Sequence, residues 1–292
     1  MRVRPKGPCW IIGVVVLLAS AALVALADAP PHEDALDRAR MEKMLSDGDN
    51  GMIVQVFRRY PGRTLPFIDR YLEGGLAMIE KGQDASAGAK ALESFRTGIR
   101  FAKLADEAFG GTTFSEYANS FASWSPSEQK SFRQGQRAFK EGIKEQDAKL
   151  TRAKLEQSNV LARSLGDTWG QAMAHQALAE QALKAGDREQ AMRSAQHAID
   201  LNGKLQLLDD LVQSMQIAAS AAGGETGLRF LAQAWIVVRD RPDIDPELRE
   251  KTLKDYLAAL ENNGQKEQAE LIRKEQEKAV EPDTSRAIDA PR

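Results

Sequence analysis

Metal-binding and nucleophilic side chains are scarce in this 292-residue chain, which holds three histidines and one cysteine. His175 and His197 fall on two helices that read as neighbours, where two imidazoles and a carboxylate could hold zinc. His32 lies beside Pro30 and Pro31, and Leu36 stands where H-E-x-x-H would need its second histidine after His32-Glu33. Polar surface histidines are the expectation. Asp47 opens the string D-G-D-N-G, which looks like the start of a calcium loop. Such a loop needs a bidentate Glu at its twelfth position, and Arg58 occupies it, so the stretch reads as a polar turn capping the next helix. No serine has a G-x-S-x-G context, and neither a P-loop nor G-x-G-x-x-G follows a strand. Carboxylates are plentiful, but acid–base work needs a pocket, and periodicity places none. The expectation is no catalytic residue, no metal and no cofactor.

The aromatic residues offer a binding surface. Phe114, Tyr117, Phe121 and Trp124 recur at spacings of three and four, one stripe of a helix, with Trp124 just before a helix start. Tyr117 and Trp124 are the candidates for contact with a small ligand, a cell-wall glycan or a partner; packing on neighbouring helices is the competing reading. Trp169 and Trp235 sit among apolar neighbours at helical spacing and read as core.

Helices must position all of these groups. Ala, Leu, Gln, Glu, Lys and Arg dominate, aromatics make up 6%, and no segment alternates with period two, so no sheet is expected. Start and stop signals mark the helices. Ser125-Pro126-Ser127-Glu128 combines an N-cap serine, a proline at the first helical position and a glutamate three residues after the cap. Gly166-Asp167, Gly186-Asp187, Gly223-Gly224 and Asn262-Asn263-Gly264 break the later periodic runs. Helices are expected at about 126–146, 148–165, 168–184, 188–201, 204–222, 225–239, 247–262 and 265–279, after earlier ones at about 33–45, 52–60, 65–80 and 89–109. The formal net charge of −2, with both signs interspersed, gives no basic stripe for nucleic acid.

The first residues read as an address. Arg2, Arg4 and Lys6 precede an apolar run from Trp10 that ends in Ala25-Leu26-Ala27, the plan of a secretory signal peptide or of an uncleaved anchor. Cys9 lies before the apolar core, where a lipidated cysteine would follow it. The remainder is expected outside the cytoplasm, in a periplasm or on the outer face of the inner membrane, touching a membrane only through residues 10–27 if these are retained. The single cysteine allows no internal disulfide, which suits a bacterial exported protein. Residues 28–63 read as a linker with short helices, 64–280 as the helical domain and 281–292 as a tail too polar to order itself.

Leu178, Ala179, Ala182, Gly186, Asp187, Ala191 and Ala198 place small residues where two helices joined by a Gly-Asp turn would touch. Turn glycines recur at about 37–41 residues, a helical-hairpin period. Gly264 and Ala269 repeat the turn and one alanine, and Gly75, Gly82, Ala91, Phe95 and Gly98 fit with a longer turn. In these residues the chain resembles the tetratricopeptide-repeat (TPR) family. The resemblance implies an all-α, right-handed α-solenoid of stacked hairpins, with a groove lined by first-helix side chains. In the clearest repeat these are Met173, Gln176, Glu180 and Leu183. The Lys and Asn that clamp a peptide carboxylate in some TPR domains are replaced by Gln176 and Glu180. The expected function is a non-enzymatic scaffold for a protein partner of unknown identity. The alternatives are ligand binding through segment 114–124 and, last, an unrecognised hydrolase.

Overall fold

The computed structural model describes residues 36–82, 85–241 and 243–280. The signal or anchor expected at 1–27, the proline linker and the tail at 281–292 lie outside them. The described residues form thirteen helices: α1 (Arg38–Asp47), α2 (Asn50–Arg59), α3 (Pro61–Lys81), α4 (Ala85–Phe109), α5 (Thr113–Ser123), α6 (Pro126–Gly142) and α7 (Ala148–Leu165), then α8 (Thr168–Lys184), α9 (Arg188–Lys204), α10 (Leu208–Ala222), α11 (Gly224–Val238), α12 (Pro246–Asn262) and α13 (Lys266–Val280). No strand occurs among them, so the all-α expectation holds. None of these helices is long and apolar enough to cross a membrane.

Local chemistry sets the helix ends. At α6 the Ser125 hydroxyl accepts from the Glu128 N–H while the Glu128 carboxylate accepts from the Ser125 N–H, satisfying two donors that the first turn would leave bare. Asp147, Asp167, Asp187 and Asp245 cap α7, α8, α9 and α12 with side-chain oxygens.

One turn design is used five times. In each, a residue with left-handed backbone ends a helix, and the next N–H returns to the carbonyl five residues back: Asp49 to Met44, Asp167 to Ala162, Asp187 to Ala182, Leu207 to Asn202 and Gln265 to Leu260, at 2.9–3.0 Å. The left-handed residue is Gly48, Gly166, Gly186 or Gly264 in four cases and Gln206, at φ 56°, in the fifth. That exception moves a boundary. The sequence suggests a break at about 202–203, but α9 continues through Gly203 to Lys204 and turns at Gln206. Buried Leu205 and Leu207 anchor the turn on both sides, and the Gln206 side-chain amide donates to Gly203 O at 2.9 Å. A side chain in this conformation costs about 1–2 kcal/mol. Gln206→Gly is therefore expected to stabilise the protein by about 0.5–1 kcal/mol, read from urea unfolding midpoints. A lower midpoint would show that the turn carries no strain.

Neighbouring helices pack against each other, and α6 with α8, α8 with α10 and α10 with α12 also touch. Ala179, Ala191, Ala195 and Ala198 are fully buried where α8 meets α9, so the small residues sit at the close contact the sequence suggests. Larger side chains, Leu178 and Ile199, fill the space around them. Between α2, α3 and α4 the core is aromatic, with Phe101 5.0 Å from Phe67 and 5.5 Å from Tyr71 between ring centroids. Helix α3 also reaches the far end of the chain. The Gly62 N–H points to Asp243 Oδ2 at 3.4 Å, and Glu73 and Glu80 meet Arg133 of α6. This helix thus contacts α5, α6 and α10 as well as its own partner α4.

Candidate functional site

Helix α3 presents Asp69 and Glu73 one turn apart, beside an apolar face built by Leu65, Ile68, Leu72 and Leu76. Opposite stand Tyr117 of α5 and the central turns of α6. The wall is completed by α7 and by the first turn of α8 with its cap, Asp167. Together they enclose a cavity of about 230 Å³. Its apolar lining includes Phe132, Phe139, Ala162, Leu165, Trp169 and Met173, and its polar lining includes Asp69, Glu73, Gln136, Ser158, Asp167 and Lys140.

Each carboxylate here has a different fate. Glu73 is fully engaged: Oε2 accepts from Arg133 Nη1 at 2.7 Å and Oε1 from Gln136 Nε2 at 2.7 Å. Arg133 also grips Glu80 with two parallel bonds, at 2.7 and 3.0 Å, a fork that locks α6 onto α3. Asp69 accepts through Oδ1 from the Tyr117 hydroxyl at 2.7 Å. Asp167 accepts through Oδ1 from the Gly170 N–H at 2.8 Å. Burial raises the Asp69 carboxyl to about 7, with Glu73 and Asp167 adding to the rise and the Tyr117 bond opposing it. Burial likewise raises Asp167 to about 6, against the pull of the Gly170 N–H. The Tyr117 hydroxyl is held well above its ordinary value by burial and by the charge of Asp69.

The residues singled out in the sequence are dispersed around this geometry. Tyr117 and Met173 line the cavity. Trp124 is buried rather than exposed: its indole N–H donates to Leu165 O at 3.1 Å, and its ring lies 4.1 Å from Phe121 and 4.8 Å from Phe132. The stripe 114–124 is thus a packing surface whose inner edge, Tyr117, reaches the cavity. Gln176 is tied into a polar cluster between pairs, donating to Gln213 Oε1 at 3.0 Å and accepting from Asn202 and Ser214. Glu180 lines a second, more polar hollow of about 310 Å³ beside Gly142 and Gln181. Leu183 packs among Ala179, Ala195 and Ile217. Met173 and Glu180 thus line separate hollows, while Gln176 and Leu183 pack against neighbouring helices.

His175 and His197 do meet, as tilted rings 4.8 Å apart. Burial, then His197 and Arg163, lower His175 to about 4. No group of three or more metal-binding side chains occurs among the described residues. Asp47 pairs with Lys43 in the last turn of α1.

Sequence reasoning passed over Asp69 and read Asp167 only as part of a turn. One signal was present: Asp69 lies between Ile68 and Leu72 on a helix whose neighbouring positions are apolar, an expensive place for a charge. No protein-family model, curated protein or solved structure matches the chain.

Proposed function

We propose that this protein is a non-enzymatic recognition scaffold, a TPR-like right-handed stack of helical hairpins that is exported or membrane-anchored by its first residues. It receives its partner at the cavity framed by α3, α5, α6 and α8. The turn design shared by five helix ends supports the repeat reading, and the N-terminal charge and apolar pattern support export. The cavity itself carries the functional reading: it is the place among the described residues where an apolar hollow, unspent carboxyl oxygens and strongly shifted ionisable groups coincide.

Its volume is below the roughly 300–1,000 Å³ of ordinary drug-sized sites. That suits one inserted side chain of a protein partner. The same size favours a second reading, a module for a small free ligand, with Tyr117 as the contribution of the aromatic segment.

Met173, which is 39% exposed on the cavity wall, provides the test. A photo-crosslinking amino acid at Met173, in cells that make the protein naturally, is expected to trap a discrete partner. The same group at Val160, 66% exposed and absent from the cavity lining, is expected to trap none. Equal labelling from both positions, or none from Met173, would count against the scaffold reading.

A further inference from the structure

The cavity wall has an uneven charge balance. Glu73 is matched by Arg133 and Gln136, whereas Asp69 and Asp167 each commit only Oδ1. No described residue donates to either Oδ2. Asp167 is only 6% exposed, yet neither Oδ2 is a fully buried atom, so both keep some contact with solvent. Room for that oxygen comes from a missing side chain: a Cβ at Gly170 would lie 2.2 Å from Asp167 Oδ2. The remaining wall is apolar, with Phe139, Trp169 and Met173 leading outward and Lys140 exposed on the lining.

An occupant must satisfy both features. An anion would meet two carboxyls, and a purely apolar group would take both oxygens out of solvent with no donor in its place. A compact cationic head with several donors, carried on an apolar stem, meets both demands. Aromatic walls add attraction for such a head. We propose that the cavity binds an alkylammonium group, its head between Asp69 and Asp167 and its stem along Phe139, Trp169 and Met173. The inference rests on reading this cavity as the recognition site. The ammonium has two possible sources, a free small amine or a lysine side chain on a protein partner.

Binding must displace protons. Below about pH 7 Asp69, and below about pH 6 Asp167, are held protonated by burial, so a cation competes with protons for them. The other charged or titratable groups around the pair are Tyr117, Glu73, Arg133 and Lys140. An alkylammonium ion keeps its charge across this range, so the pH dependence belongs to the site.

The full-length protein is titrated by calorimetry with pentylammonium chloride, 1-pentanol and the blocked peptide acetyl-Gly-Lys-Gly-amide, at pH 5.5 and pH 8. Pentylammonium is expected to bind at least tenfold more tightly than pentanol at pH 8 and to lose about tenfold or more at pH 5.5. Asp69→Asn, whose amide oxygen can still accept from Tyr117, is expected to weaken amine binding at least tenfold. Asp167→Asn, which retains a competent helix cap, is expected to do the same. Tighter binding of the peptide than of pentylammonium assigns the site to a partner's lysine, and the reverse order assigns it to a free amine. Pentanol binding as tightly as the amine, or unchanged amine affinity in both variants, overturns the ammonium assignment and leaves the recognition reading standing. Failure of all three probes overturns it too; only if Met173 also traps nothing does the recognition reading fall with it.

Discussion

Phe101→Ala is expected to cost about 3–5 kcal/mol of folding stability, measured as the loss in unfolding free energy by urea denaturation. Phe101 is fully buried, and its ring meets Phe67 at 5.0 Å, Tyr71 at 5.5 Å and Phe57 at 6.4 Å, two of these contacts edge-on. Truncation removes the transfer energy of the ring, leaves a cavity, and forfeits edge-to-face contacts of about 0.5–1.5 kcal/mol each. Because α2, α3 and α4 all contribute, the vacated space cannot close by the movement of one helix. Domains of ordinary stability have only about 5–15 kcal/mol in total. A measured loss below about 1 kcal/mol would mean that the cluster does not hold these helices together.

Asp69→Asn is expected to act in the opposite direction and to depend on pH. The folded-state value of Asp69, about 7, lies above the ordinary 3.8, so between these values the folded protein holds more protons than the unfolded chain. Stability attributable to this group is full below about pH 4 and is lost as pH rises through about 7. Asparagine imitates the protonated form. The variant should match the wild type near pH 4 and exceed it by about 2–4 kcal/mol at pH 8, since a tenfold change in proton affinity is worth about 1.4 kcal/mol. Asp167, raised to about 6, gives the wild type a second loss of the same sign. His175 opposes both: its value is lowered to about 4, so its contribution grows as pH rises from about 4 to 6.5. Two losses outweigh one gain between about pH 4 and 6, so these groups make the wild type most stable near pH 4 and less stable toward pH 7. Unfolding midpoints at pH 4.5, 6 and 8 measure this, and a pH-independent difference between variant and wild type would remove the basis for a buried, strained carboxyl.

What the sequence made readable follows from the range of the interactions. The boundaries of α7 and α8 and the capping box of α6 are local: each depends on residues within one turn, and each is written in Asp, Ser, Pro or Gly. The turn at Gln206 was hidden because a glutamine occupies a position that glycine holds elsewhere, and two buried leucines enforce it from outside the local pattern. The cavity was hidden for a different reason. Asp69, Tyr117, Phe139 and Asp167 come from four separate stretches, and Asp69 has only the Tyr117 hydroxyl as partner while nearby Arg133 is bound to Glu73 and Glu80. Tyr117 and Met173 could be named in advance because helical periodicity put one in an aromatic stripe and the resemblance to TPR repeats placed the other on a first-helix face. Periodicity could not show that they share a wall, nor that Trp124 from the same stripe turns inward to Leu165.

The hydrogen bond from Gly62 to Asp243 joins residues 181 positions apart. During synthesis at about 5–20 residues per second, roughly 9–36 s separate the appearance of these two groups. Pairs such as α8 with α9 can close as soon as both helices have left the ribosome, since they are neighbours in the chain. Helix α3 can zip to α4 early, but its opening turn must wait for 181 further residues. That turn is thus fastened long after the rest of its helix, and a nascent chain stalled before Asp243 would carry it without its partner.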